Sequence, residues 1–372
     1  MVAWSPLLLV GGGLCGALLA LELAERGAQV ELAGPPLGTG ASGCSYGGVP
    51  WWAGANDPLG RLQAQAPAHW RALEQRHGPM GLQQLPLWLH WQKQDDPAAV
   101  QAAAAFLEQL PQQPRVERLT AAELLSAEPL LVGGDWAGAL QLPYLRLDPR
   151  GLQSGLDAAF ERLGVQRSGA ISPEALAQRL TQQTVVLCAG AASVSLLQGL
   201  GYSVPSPLRF SWAGVLQLGG AQLAAPRIAM PLLGQRRQRE SAIAGEPSIL
   251  DAGVAPAAGD GLLLGQTSWF DQPLNHPPQA AQELERLLAA AQHLLPGLDS
   301  EQLAAATLQQ QPVAYSTDQR PLLGPHPEQP QLHLFTGFSG AFAQVPVLAP
   351  LLAEALLSGD WQQLQPLGVL HR

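Results

Sequence analysis

Lysine is almost missing from this sequence: of 20 basic residues only Lys93 is a lysine, and the rest are arginines. Acidic residues number 29, giving a formal net charge of −9. The one basic cluster, Arg236-Arg237-Gln238-Arg239, is too short to track a phosphate backbone, so nucleic acid is excluded as a partner. Cysteine is also scarce. Cys15, Cys44 and Cys188 fit neither a disulfide framework nor a zinc spacing, which predicts a reducing, cytoplasmic setting. The histidines show no paired ligand pattern, and no metal is expected. Long hydrophobic runs are lacking too. Residues 7–21 are apolar, but they have no basic flank, contain four glycines and run into Glu22. That excludes a signal or membrane segment there, and no other stretch approaches a membrane span. A length of 372 residues with 47% apolar and 13% charged residues describes a folded chain of two domains.

What is present is glycine in an informative place. Residues 8–16 read Leu-Leu-Val-Gly-Gly-Gly-Leu-Cys-Gly, a strand running into a Gly-x-Gly-x-x-Gly turn and a helix. Gly11 makes the tight turn, Gly13 lets backbone approach a phosphate, and Gly16 lets helix and strand pack closely. The helix N-terminus then offers free N–H groups to the pyrophosphate of a dinucleotide. Residues 14–26 continue as helix, Gly27 stops it, and residues 29–32 form a second strand. Glu31, twenty residues after Gly11, is the expected acceptor for a ribose diol. A carboxylate there would repel a 2′-phosphate, which disfavours NADP.

Further along, residues 38–48 are a run of small residues that lets backbone lie against a flat ligand. Helices are predicted over 57–78, 98–110, 149–163, 172–180 and 278–295, with a capping box opening another at Thr120. Strands are predicted over 85–92, 184–187, 213–218, 262–266 and 332–335. The last enters a second glycine turn at 336–340 and a helix reaching about residue 357. The Gln- and Pro-rich patches near 109–114 and 309–312 read as surface connections.

Six segments in this order resemble the FAD-dependent amine and amino-acid oxidase superfamily that includes D-amino-acid oxidase, glycine oxidase and monomeric sarcosine oxidase. They are the first glycine turn with Glu31, Ala41-Ser-Gly-Cys-Ser-Tyr-Gly-Gly48, Leu147-Asp-Pro149, Val185-Val-Leu-Cys-Ala-Gly190, Asp318-Gln-Arg-Pro-Leu-Leu-Gly324 and Thr336-Gly-Phe-Ser-Gly340. The resemblance implies noncovalent FAD and an α/β fold. A discontinuous Rossmann-like FAD-binding domain is expected at 1–50, 140–205 and 312–372. An α+β substrate domain on a mixed sheet is expected at 51–139 and 206–311. By the same resemblance the phosphates and ribose fall to Gly11, Gly13, Leu14, Cys15, Gly16 and Glu31. Ser42, Cys44, Ser45, Gly47 and Gly48 would lie along the flavin, with Val165, Ala189 and Gly190 as further cofactor contacts. Gly337, Phe338, Ser339, Gly340, Ala341 and Phe342 would set a helix N-terminus at the N1–C2=O edge, where reduced flavin carries negative charge.

Departures from the family pattern bear on substrate. Many amino-acid-oxidising relatives carry an arginine for the substrate carboxylate five residues before the position of Asp318; here that residue is Val313. Arg146, Arg209 or Arg320 could substitute, or the substrate lacks an α-carboxylate. The 164–184 stretch reads as a helix where relatives hold a β-meander. No cysteine follows Cys188 to tether a flavin, and a thioether at Cys44 is the remaining covalent option. Trp51, Trp52, Phe210, Trp212 and Tyr315 are expected around the substrate, with Arg320, and His90 as an outlying candidate. The expected activity is oxidation of a small primary or secondary amine or amino acid, with O2 as acceptor. The alternatives are a dehydrogenase using a quinone or carrier, and a flavin-binding scaffold without turnover.

Overall fold

The computed structural model describes residues 6–242, 244–257 and 259–369. The chain opens with β1 (Leu7–Gly12), α1 (Leu14–Glu25), β2 (Val30–Pro36) and the short β3 (Gly48–Val49). Then come α2 (Pro58–Gln63), α3 (Ala66–His77), β4 (Leu82–Gln92), α4 (Pro97–Glu108), β5 (Glu117–Thr120), α5 (Ala121–Ala127) and β6 (Trp136–Leu147). They are followed by α6 (Pro149–Leu163), β7 (Gln166–Ser168), α7 (Pro173–Leu180), β8 (Val185–Leu187) and α8 (Ala192–Gly199). Next are β9 (Leu208–Leu218), β10 (Ile228–Pro231), α9 (Arg236–Ser241), β11 (Ser248–Pro256) and β12 (Leu262–Trp269). The chain closes with α10 (Ala280–Leu294), α11 (Ser300–Ala304), β13 (Thr307–Ser316), β14 (Leu322–His326), β15 (Gln329–Thr336) and α12 (Ala341–Ser358).

Two compact units divide these elements. The first comprises residues 1–82, 149–210 and 312–372, the second residues 83–148 and 211–311. The sequence predicts a first segment ending at 50 and a second beginning at 140. Residues 51–82 instead belong to the first unit, because α2 and α3 pack on α12. The expected single helix over 57–78 is broken at Ala64 and Gln65 into α2 and α3.

In the first unit a six-stranded sheet runs β14-β15-β8-β1-β2-β7, parallel except for the edge strand β14. Parallel strands covered on both faces must be apolar on both, and residues 7–10 of β1 are accordingly all buried. On one face Leu8, Val10 and Ala33 pack with Leu176 and Leu180 of α7 and Leu197 of α8. The other carries α1, which packs against α6 and α12. By length and composition α12 could cross a membrane, contrary to the sequence expectation, but residues 342–349 are buried in the protein core. Pro346 lacks an N–H and leaves the Phe342 carbonyl without its helical donor. The buried Trp70 Nε1 donates to that oxygen instead, at 2.8 Å.

The second unit is built on a mixed sheet in the order β13-β9-β12-β11-β10-β4-β6, with β5 added at β6. β10 pairs with β4 in parallel, while β11 pairs antiparallel with both β10 and β12. The amphipathic α10 covers β11 and β12 and buries Leu287, Ala291 and Leu294 against Trp88, Trp136, Leu216 and Leu264. The patch at 309–312, expected to be a surface connection, is part of β13.

Candidate active site

β1 hands over to α1 within one residue. Gly13 is the N-cap, in extended backbone and with no side-chain cap, so the first-turn N–H groups lack helical partners. One of them, from Leu14, donates to Ser42 Oγ at 3.1 Å. Gly11 turns at φ +116°, where an added Cβ would lie 2.5 Å from the Cys188 carbonyl oxygen and 2.6 Å from Ala189 Cα. A Cβ on Gly16 would stand 1.9 Å from the Gly11 oxygen. The glycine turn, Ser42 of the small-residue run, and the Cys188–Ala189 end of β8 therefore meet at one place. Uncapped amides at the positive end of a buried helix are the donor set a pyrophosphate requires, and this end of the site fits FAD.

Within the small-residue run, Ser45 Oγ accepts from the Gly47 N–H at 3.1 Å. Burial raises all three thiols: Cys15 is pushed up to about 12, and Cys188 and Cys44 are held above their ordinary values. Protonated thiols pack as small apolar groups, which accords with a noncovalent cofactor. Among the described residues no group of histidines, cysteines and carboxylates is arranged for a metal.

The second glycine turn follows β15. Gly340 is the N-cap of α12, again without a side-chain cap and with no acid in the first turn formed by Ala341 and Phe342. Around it the buried hydroxyls of Ser316, Thr336 and Ser339 have no hydrogen-bond partner. Buried polar groups are ordinarily paired, so three unpaired hydroxyls beside an uncapped helix start fit the polar edge of a flavin ring. Phe338 is fixed edge-on against Phe335, with centroids 5.1 Å apart.

Glu31 requires a correction. It pairs in register with Leu8, whereas Gly12, at the glycine turn, is level with Pro36. β2 runs on to Pro36, so Glu31 is the second residue of the strand and lies five residues short of its C-terminal end. Its carboxylate accepts from Ser168 Oγ at 2.7 Å and from Arg179 of α7. Partial burial raises its pKa, but these hydrogen bonds and the Arg179 charge outweigh that and hold it below the ordinary range. Val165 leads into β7, its N–H donating to the Phe160 carbonyl at 3.0 Å.

None of the three arginines that could substitute for Val313 presents an uncommitted guanidinium. Arg146 is buried and donates to Gln83 Oε1 at 2.7 Å and to the Pro256 carbonyl at 2.8 Å. Arg209 binds the carbonyls of Ser206 and Leu208, both at 2.8 Å. Arg320 is paired with Asp57 and donates to the Leu367 carbonyl at 2.8 Å. Trp51, Trp52, Phe210 and Tyr315 belong to the first unit, with Trp52 and Tyr315 buried. Trp212 lies in the second, its Nε1 donating to the Pro273 carbonyl at 3.1 Å. His90 is a core residue of the second unit, edge-on to Trp136 at 4.8 Å. Sequence reasoning missed Arg179 and Ser168 as partners of Glu31, and Trp70 as the donor to α12. Only the last had a signal, the proline inside a helix.

The match to known proteins agrees with this geometry. The family model described as DAO, FAD dependent oxidoreductase, matches residues 7–355. No curated protein matches the chain. Among solved structures, glycine oxidase from Bacillus cereus ATCC 14579 superposes with a TM-score of 0.74 at 18% identity, covering 99% of each chain. Glycine oxidase from Geobacillus kaustophilus gives 0.70 at 22%, covering 96% of each. Iminodiacetate oxidase from Chelativorans sp. BNC1 gives 0.69 at 20%, covering 95% of each. The chain therefore belongs to the DAO family of FAD-dependent oxidoreductases.

Proposed function

We propose that this protein oxidises the C–N bond of a small primary or secondary amine, or of an amino acid whose carboxylate is not clamped by arginine, with O2 as acceptor. Val313 carries the substrate side of this reading. An apolar residue at the position of a bidentate arginine leaves a carboxylate without a partner, and Arg146, Arg209 and Arg320 are each committed to other groups. The enzymes it is similar to are named for glycine and iminodiacetate, which supports amine chemistry.

FAD, when bound, supplies the hydride acceptor. The chain's own work is to hold it: the α1 N-terminus and Ser42 at the phosphates, and the α12 N-terminus with its unpaired hydroxyls at the polar ring edge. The substrate loses a hydride equivalent from carbon and a proton from nitrogen, and the resulting imine hydrolyses to carbonyl and amine. A substrate entering as the neutral amine needs no dedicated base on the protein.

Anaerobic titration of the flavin-loaded protein with a panel of amines and amino acids tests the reading. Loss of the oxidised flavin band near about 450 nm with an amine lacking an α-carboxylate is expected. Bleaching confined to α-carboxylate substrates, with the matching decarboxylated amines binding at least about a hundredfold more weakly, overturns the Val313 argument. Flavin that resists the whole panel assigns the protein to binding without turnover. A reduced flavin that reoxidises with a quinone but not with O2 makes it a dehydrogenase.

A further inference from the structure

At the C-terminal end of β2 the first unit holds a cavity of about 270 Å³. Gly12, Gly34 and Pro36 line one side, and Phe160, Arg167 and Ser168 the other. It adjoins the glycine turn, since Gly12 pairs with Pro36 across the two strands. A carboxylate serving a ribose here would have to come from the residues level with that turn. Those are Ala33, Gly34, Pro35 and Pro36, and no acid occurs between Glu31 and Asp57. Asp57 is itself paired with Arg320.

Glu31 does not fill the gap. Successive side chains of a strand point to opposite faces. Ala33 packs toward α7 and α8, so Glu31, two residues earlier, shares that face; one carboxylate oxygen meets Arg179 there and the other is taken by Ser168, which also lines the cavity. Leu32 lines the cavity from the α6 face. The charged residue lining the cavity is a cation, Arg167, which lies over the Phe160 ring at 5.2 Å and pairs with Asp157.

We propose that this cavity takes the adenosine end of FAD and reads it without a carboxylate, leaving the ribose 2′ position undiscriminated. The site is then permissive at that position: 2′-hydroxyl, 2′-deoxy and 2′-phospho forms of the dinucleotide all enter. A carboxylate on the diol would lose a charge-assisted hydrogen bond to the deoxy form and repel the phosphate. Neither penalty arises here, where the charged lining residue is Arg167, itself paired with Asp157. The proposal rests on the FAD assignment of the site.

Apoprotein titrated with FAD, 2′-deoxyadenosine-FAD and 2′-phospho-FAD, followed by flavin fluorescence, tests it without any turnover. The expected result is a 2′-deoxy Kd within about threefold of that for FAD, and a 2′-phospho Kd within about tenfold, the equivalent of about 1.4 kcal/mol. A Glu31→Gln variant should bind FAD within about twofold of the parent. Weakening of more than tenfold with the deoxy cofactor, or about a hundredfold with the phospho form, overturns the proposal, as does a tenfold loss in folded Glu31→Gln. If that variant fails to fold, the analogue series on the parent protein still decides. Failure of FAD itself to bind overturns the cofactor assignment together with the proposal, whereas FAD binding with strong 2′ discrimination overturns the proposal alone.

Discussion

The hydrogen bond from Trp70 Nε1 to the Phe342 carbonyl replaces the one Pro346 cannot make, and this substitution of donors can be measured. Trp70 is fully buried and the contact is 2.8 Å. Trp70→Phe removes the donor and strands a buried carbonyl, costing about 1–3 kcal/mol. The lost ring atoms leave a void that adds about 1–2 kcal/mol. Pro346→Ala supplies an N–H four residues along the helix from the same oxygen. In that background the indole is redundant, and Trp70→Phe should cost only the packing part. Chemical denaturation of the four proteins in the cycle should therefore give a coupling energy of about 1–3 kcal/mol. Equal costs of Trp70→Phe in both backgrounds, within about 0.5 kcal/mol, would refute the reasoning.

Three further outcomes are expected. Burial lowers His90 from 6.5 to about 4, a backbone contact at Ala252 opposing it, so the unfolded chain protonates first. Stability then falls as pH drops from about 6.5 toward 4, by about 3 kcal/mol in total, and thermal melts of His90→Phe should lack that part of the acid slope. Gly16→Ala places a Cβ 1.9 Å from the Gly11 oxygen, so a loss of about 1–3 kcal/mol and weakened flavin retention are expected. An unchanged melting temperature would count against the packing of that turn. The fully buried Glu283 accepts from Trp269 Nε1 at 3.1 Å and from Thr267 and Gln310. Glu283→Ala leaves those donors unpaired and should lower stability by at least about 2 kcal/mol, with Glu283→Gln losing less; equal losses contradict the assigned network.

The elements written in local chemistry were legible. α6 spans the predicted 149–163, and the Thr120 capping box is formed with Glu123. The glycine turn was readable because strand, turn and helix are each coded by neighbouring residues. What escaped depends on register and on the face presented. Glu31 had a plausible spacing from Gly11, but spacing along the chain does not say that β2 continues past it to Pro36 or that its side chain meets Arg179. Residues 51–82 were assigned to the wrong unit because their partner, α12, lies almost 300 residues away in sequence. Glu283 carried no local mark of burial, since an acid early in an amphipathic helix is usually solvated. Val313 was visible in the sequence, but that Arg146, Arg209 and Arg320 are all committed was visible only in three dimensions.

The most direct test of the central claim is the absorbance spectrum of the purified protein, followed by denaturation and identification of whatever chromophore is released. An oxidised-flavin spectrum and quantitative release of FAD are expected, with none left attached to the chain. A colourless protein that cannot be reconstituted with FAD would contradict the claim.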